Sequence, residues 1–396
     1  MCAHWAGVQF GVRVPPNALA RPGSCVHCSG KRWGFNDPTT SCLVGGYVYN
    51  EPVGATFNGA DGQANGQTGT SPAPYPFETE VLVAAQGQVH SFQGSVQGPA
   101  GPAVVTPMSQ SLDMATGELS TVVKFGANDS SWSIELDVLQ FVSQSVPSLG
   151  LQQITVTKRT AGLNITIVPA ITTTGLPGTT VSTDLPENAF KLRPPSVLLM
   201  RSNAGAEVAM QVQTTCMGAD HADGKGKLLG SPCVSSHGNG SLTMQSFHAV
   251  VGDALHPEPA FGAVRQSHYG HYRGWDKLRA ENGKVWQENW RSRVVIEGPG
   301  VTVPDQEALD AAVFYLLSSA HTASRNGLPI DAYSCLEYGG APSPSVDSQT
   351  ATVASLPPCS FVAVVRILLL NKDLTLCCDV LLCGLQGECS GTRSEY

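Results

Sequence analysis

Charged residues are scarce in this sequence: Asp, Glu, Lys and Arg make up 14% of its 396 residues. The 23 Lys and Arg are scattered, the net charge is −8, and no basic stripe runs along any segment; this disfavours a nucleic-acid partner, and none is expected. Neither a Gly-x-Ser-x-Gly elbow nor a G-x-x-x-x-G-K-S/T loop occurs, so that type of nucleophile and that phosphate cradle are not encoded. The opening, Met1-Cys-Ala-His-Trp-Ala-Gly-Val8, lacks the basic n-region and apolar core of a secretory signal, and a cytoplasmic chain is expected. Sequons at Asn128, Asn164 and Asn239 would then carry nothing. The apolar run from Phe361 to Leu385 is broken by Arg366, Lys372, Asp373 and Asp379, so no membrane span is expected.

Turn chemistry is abundant. With Gly 42, Pro 27 and an apolar share of 42%, the chain favours many short strands joined by turns over long surface helices. Residues 1–40, interrupted by Pro15-Pro16, Pro22-Gly23 and Ser29-Gly30, are expected to be irregular. From Ser41 to about Gly69, pairs such as Asn58-Gly59, Asp61-Gly62 and Asn65-Gly66 predict a loop system. Alternation then sets in. Leu119, Thr121, Val123 and Phe125 form one such set; Trp132, Ile134, Leu136 and Val138 form the next. Leu163, Ile165 and Ile167 repeat the pattern, as do Val208, Met210 and Val212, and Phe247, Ala249 and Val251. Half-buried antiparallel strands without intervening helices imply a sandwich or barrel.

The period changes at Trp275. In Asp276 to Arg293, Leu278, Val285, Trp286 and Trp290 fall on one helical face, with charged residues elsewhere. Val294 to Ile296 form a short extended run closed by Gly298-Pro299-Gly300. A second helix follows. Asp305 or a neighbour can cap it, and Leu309, Ala312, Val313, Leu316, Leu317 and Ala320 give it a broad apolar face that needs cover.

Candidate chemistry is thin. Cys25-Val-His-Cys28, with Cys42 downstream, has the spacing of half a zinc site, but no second pair accompanies it, and ordinary thiols are the expectation. His268-Tyr-Gly-His271, with His248 and His256 upstream, is read as a polar hinge in a loop because Gly270 and Gly274 oppose a helix. Cys335 lies near His321 in sequence, yet a nucleophile needs its base placed in space. Carboxylate pairs for glycoside chemistry come from distant parts of a chain and cannot be picked by spacing. No catalytic, cofactor-binding or metal residue is therefore assigned, and no cofactor. Of the twelve cysteines, Cys359, Cys377, Cys378, Cys383 and Cys389 crowd the end of the chain; this is a local excess without a framework, and reduced thiols are expected.

Read together, Ser111-Leu-Asp-Met-Ala-Thr-Gly-Glu-Leu119, the strands through Val156, Trp286-Gln-Glu-Asn-Trp290 with Ile296-Glu-Gly298, and Asp310-Ala-Ala-Val-Phe-Tyr-Leu-Leu-Ser-Ser-Ala320 resemble family 65 glycoside hydrolases. That family includes acid trehalases, maltose and kojibiose phosphorylases, and the glucosidase that trims glucosyl-galactosyl-hydroxylysine. The resemblance covers about residues 75–340 and rests on the order of these motifs. It implies an antiparallel β-super-sandwich, linker helices and the truncated start of an (α/α)6 barrel. The implied organisation is 1–40 irregular, 41–270 sandwich, 271–303 linker helix and short strand, 304–340 first part of the barrel, and 341–396 an unrelated tail from read-through or an alternative exon.

The same resemblance implies α-glucoside substrates and inverting hydrolysis or phosphorolysis. The approach Gly327-Leu328 to Tyr338-Gly339-Gly340 is present, but the Phe-Trp-Asp motif expected after it is replaced by Ala341-Pro-Ser-Pro-Ser-Val346. Trp275-Asp276 follows no aromatic residue and begins a helix, and the barrel's catalytic Glu has no counterpart. The chain is expected to be inactive by itself. The alternative expectation is a non-catalytic carbohydrate-binding or assembly module. An uncovered 305–320 helix would also invite self-association.

Overall fold

A computed structural model of the chain describes residues 3–6, 10–14, 18–19, 42–50, 68–92, 103–171, 173, 176, 179–184, 196–218, 232–235, 241–319, 350–352, 363–368 and 378–382, with 203, 297, 299 and 301 omitted. The strands run β1 (Ala3–Ala6), β2 (Phe10–Val14), β3 (Cys42–Asn50), β4 (Thr68–Ala73), β5 (Thr79–Ala85), β6 (Gln88–Ser91), β7 (Ala103–Asp113) and β8 (Glu118–Ala127). They continue as β9 (Ser133–Val142), β10 (Leu149–Arg159), β11 (Asn164–Pro169), β12 (Thr179–Asp184), β13 (Ser196–Arg201), β14 (Glu207–Met217), β15 (Cys233–Ser235) and β16 (Leu242–Gly252). Three helices follow: α1 (Pro259–Arg273), α2 (Trp275–Asn289), which ends in a 3-10 turn over Trp290–Ser292, and α3 (Val303–Ser319). Strands β17 (Thr350–Thr352), β18 (Ala363–Leu368) and β19 (Cys378–Leu382) make a separate antiparallel sheet in the tail.

The architecture is mainly antiparallel β. An eight-stranded sheet has the order β12-β13-β14-β16-β10-β9-β8-β7, and four-stranded sheets have the orders β15-β11-β5-β6 and β1-β2-β3-β4. Alternation explains the large sheet: Leu119, Val123, Phe125, Leu136, Val138 and Ile154 share one core with Val81, Val83, Ile165 and Ile167 of the facing sheet. A buried polar chain crosses this interior. Thr79 Oγ1 donates to Gln152 Oε1 (2.9 Å), Gln152 Nε2 donates to the Phe77 carbonyl (3.0 Å), and Ser246 Oγ lies 2.7 Å from His248 Nε2. Burial pushes the His248 imidazole down to about 3, so the network holds a neutral ring.

The structure corrects the sequence reading in four places. Residues 3–6 and 10–14 are strands, where the reading had irregular chain, and 42–50 is a strand where it had loops, as is 68–73, which begins at the end of that region. Burial of Phe10, Val12, Cys42, Val44 and Tyr47 overrides local turn chemistry; Gly45-Gly46 sits where the β3-β4 register shifts, between Leu43 and Val48. His268 to His271 are helical. A Cβ at Gly270 would lie 2.8 Å from Leu149 Cδ2, so the glycine that argued for a loop permits close docking of a helix on the sheet. Cys216 and Cys233 are joined, with Cα atoms 5.6 Å apart, and not reduced; the disulfide ties β14 of the large sheet to β15 of the facing one. Finally, 294–296 form no ladder: Ile296 N–H donates to Gln306 Oε1 (2.9 Å).

Cys25, Cys28, Asn239, His321, Cys335, the Gly327 to Gly340 approach, and Cys359, Cys377, Cys383 and Cys389 lie outside the described residues. Among those described, no helix is long and apolar enough to cross a membrane.

Candidate functional site

The motifs that carried the resemblance meet in space. The β7-β8 hairpin turns through Asp113 to Gly117, with Asp113 Oδ1 accepting from Ala115 N–H and Gly117 at φ +67°. Helix α2 docks on this turn. Asn282 Nδ2 donates to the Thr116 carbonyl (2.9 Å), Asn282 Oδ1 accepts from Gln144 N–H (2.9 Å), and Trp290 Nε1 donates to the Met114 carbonyl (2.7 Å). A Cβ on Gly117 would come within 2.7 Å of Trp286 Cε2, so only glycine leaves room for that ring. Arg279 grips Glu118 through its Nε and Nη2, each at 2.7 Å.

Trp286 then stacks on Phe314 of α3, with centroids 4.7 Å apart and planes at 15°. Polar ties fix α3 to the segment after α2: Arg293 pairs with Asp310 and holds its carboxyl below the usual range, and Gln306 Nε2 donates to the Val294 carbonyl. Asp305 does cap α3, as the third helical residue reaching back to Thr302 N–H (2.8 Å) and Oγ1 (2.7 Å). Val313, Phe314 and Ser318 are buried, Leu309, Ala312 and Leu317 partly buried, and Val303 exposed. The place is a joint, built by packing and hydrogen bonds.

Helix α1 positions the histidines on the outer face of the large sheet. His268 Nε2 lies 3.1 Å from Gln213 Nε2, and His271 Nδ1 lies 3.2 Å from Thr215 Oγ1. Partial burial, then the neighbouring His271, lowers the pKa of His268. His248 is elsewhere, in the core, and His256 Nδ1 accepts from Glu258 N–H ahead of α1. Among the described residues no group of three or more His, Cys, Asp or Glu side chains could hold a metal.

Register shows what lies beside these histidines. Phe141, Leu151, Phe247 and Gln213 are paired neighbours on the outer face, and α1 and α2 cover them: Trp275 meets Phe141 at 5.5 Å and His271 meets Phe247 at 5.9 Å. The next row outward is Ser120, Leu139, Gln153, Gln245 and Thr215, and the one after is Val122, Asp137, Thr155, Thr243 and Met217. These residues are partly buried or exposed. Gln245 Nε2 donates to Gln153 Oε1 (2.9 Å), and the Thr155 and Thr243 hydroxyls are 3.2 Å apart. Burial, then the Glu135 charge, raises the Asp137 pKa. The result is a floor of amides and hydroxyls walled on one side by α1 and α2. Composition gave no sign of it, because it emerges only when four strands are set in register.

No family model matches the sequence, and no curated protein matches it. Among solved structures, a protein described as a kojibiose phosphorylase from the human microbiome aligns over 80% of this chain at 10% identity and a TM-score of 0.51. At that identity the likeness is one of fold alone. The likeness falls in the N-terminal domain region of that phosphorylase, and this chain spans 39% of its length. A bacterial glucoamylase complexed with acarbose aligns over 83% of this chain and 42% of its own, at 9% identity and a TM-score of 0.31, too loosely to bear on the architecture.

Proposed function

We propose that the chain is the N-terminal portion of a family 65-like protein acting on α-glucosides, and that by itself it turns over no substrate. The supporting observation is the joint: the Asp113–Gly117 turn and the Trp286/Trp290 pair, far apart in sequence, form one contact that sets how helices leave the sandwich. Inverting hydrolysis needs one carboxyl as acid and another as base with room for water between, and phosphorolysis puts phosphate in the water's place. The acids that structure the joint, Glu118 and Asp310, are occupied by Arg279 and Arg293.

The test is to incubate the purified chain with trehalose, kojibiose, maltose and a glucosyl-galactoside, with and without phosphate, while assaying free glucose and glucose 1-phosphate. The expected result is no release above a heat-killed control; release would overturn the inactive reading. Cytoplasmic placement, the expectation from the opening residues, is weighed against by the Cys216–Cys233 disulfide. Alkylation of thiols in living cells, followed by mass spectrometry of the two cysteine peptides, decides it: a reduced pair supports the cytoplasm, and a joined pair rules it out. Self-association through α3 is tested by sedimentation over a concentration series; a monomer throughout would rule it out.

A further inference from the structure

We infer that the part of the outer face of the large sheet that no described helix covers binds a neutral oligosaccharide laid across β9, β10 and β16 beside α1. This inference takes its ligand class from the carbohydrate-active reading above. The floor itself supplies the recognition chemistry. Gln153 and Gln245 carry both donors and acceptors, as do Thr155 and Thr243, and a sugar hydroxyl needs both from its partner. Their mutual bonds, 2.9 Å between the amides and 3.2 Å between the hydroxyls, hold the groups in place before a ligand arrives, so little side-chain freedom is lost on binding. Asp137 adds an acceptor in the same row as Thr155 and Thr243.

Apolar contact is modest and placed at intervals: Leu139 lies between Ser120 and Gln153, and Met217 pairs with Thr243 at the margin. That mixture suits the C–H patches of a sugar ring between its hydroxyls. Tyr269 and Tyr272 stand exposed on the adjoining helix, where flat rings are available for stacking.

Other partners fit less well. A polyanion would meet Asp137 on the floor of a chain with net charge −8, and Glu135, one row beyond, is already paired with Lys158. A protein partner would find few of the large apolar or aromatic anchors that carry protein interfaces.

The experiment is titration of the whole chain with kojibiose, maltotetraose and cellotetraose by calorimetry, alongside a Gln153→Ala/Gln245→Ala variant. Binding of at least one sugar is expected, weakened about tenfold or more in the double variant by the loss of two amide partners. Lys124→Ala, one row beyond the floor, should bind like the parent. If the double variant does not fold, Thr155→Tyr, which adds bulk above the floor, takes its place and should weaken binding at least as much. Absence of binding to all three sugars, or unchanged affinity in the variants, overturns the inference. Sugar release in the turnover assay would instead overturn the inactive reading, leaving the binding comparison to be judged on its own.

Discussion

Adjacent rows on one face of the large sheet carry opposite chemistry. Phe141, Leu151 and Phe247 pair across β9, β10 and β16, and two residues further along the same strands stand Leu139, Gln153 and Gln245. The first set lies under Trp275, Gly270 and His271; the second is open or partly open. Strand geometry is the same in both, so the boundary is set by where α1 and α2 cross. Under the helices the middle of the row is apolar, and the polar residues beside it have partners on the helices, Glu118 with Arg279 and Gln213 beside His268; what the helices leave open is free to be polar. The comparison teaches that the helices belong to the sandwich as its cover, and that the rest of the face has a different task.

The covered side is broken most severely at its anchor. Trp286→Ala removes a fully buried ring from between Gly117 and Phe314, and a loss of about 3–5 kcal/mol in urea unfolding is expected, with α3 released. A loss under about 1 kcal/mol would mean that the helices do not depend on the joint. Next in size is the tie between the sheets. Reducing Cys216–Cys233, which spans a sequence separation of 17, should cost roughly 3 kcal/mol, read as a drop in Tm under reducing conditions.

Much of the covered side was legible in the sequence. Leu278 and Trp286 face inward as their spacing required, and the alternation through Leu119 to Phe125 and Ile134 to Val138 gave two adjacent strands. Helix α1 was not legible, because Gly270 counts against a helix until the sheet beneath it demands a close approach. Phe314 was passed over because its partner, Trp286, belongs to another helix. The disulfide joins two sheets that no local pattern relates. The open floor was least legible of all: Gln153, Thr155, Thr243 and Gln245 are ordinary strand residues until register sets them side by side.

The interior supplies a pH test of the same division. The folded pKa of His248 lies near 3 against an ordinary value of 6.5, so its contribution is complete above pH 6.5 and is lost as pH falls toward 3. Between pH 7 and pH 5 this one group should lower stability by about 2 kcal/mol, as the unfolded chain takes up a proton that the core refuses. Urea midpoints at the two pH values check it, and His248→Gln should flatten the difference. The smallest effect belongs to the open side. Thr155→Ala should move stability by no more than about 0.5 kcal/mol, as at any surface position, although it removes a hydroxyl from the floor. A large loss there would show that the floor is structural.

Hydroxyl-radical footprinting with residue-level mass spectrometry tests the division most directly. Met217 and Tyr272, 45% and 90% exposed, should oxidise quickly, while Trp286 and Phe247, 0% and 1% exposed, should be spared. Rates at Trp286 and Phe247 matching those at Met217 would contradict the account, because the helices would then not be covering the sheet.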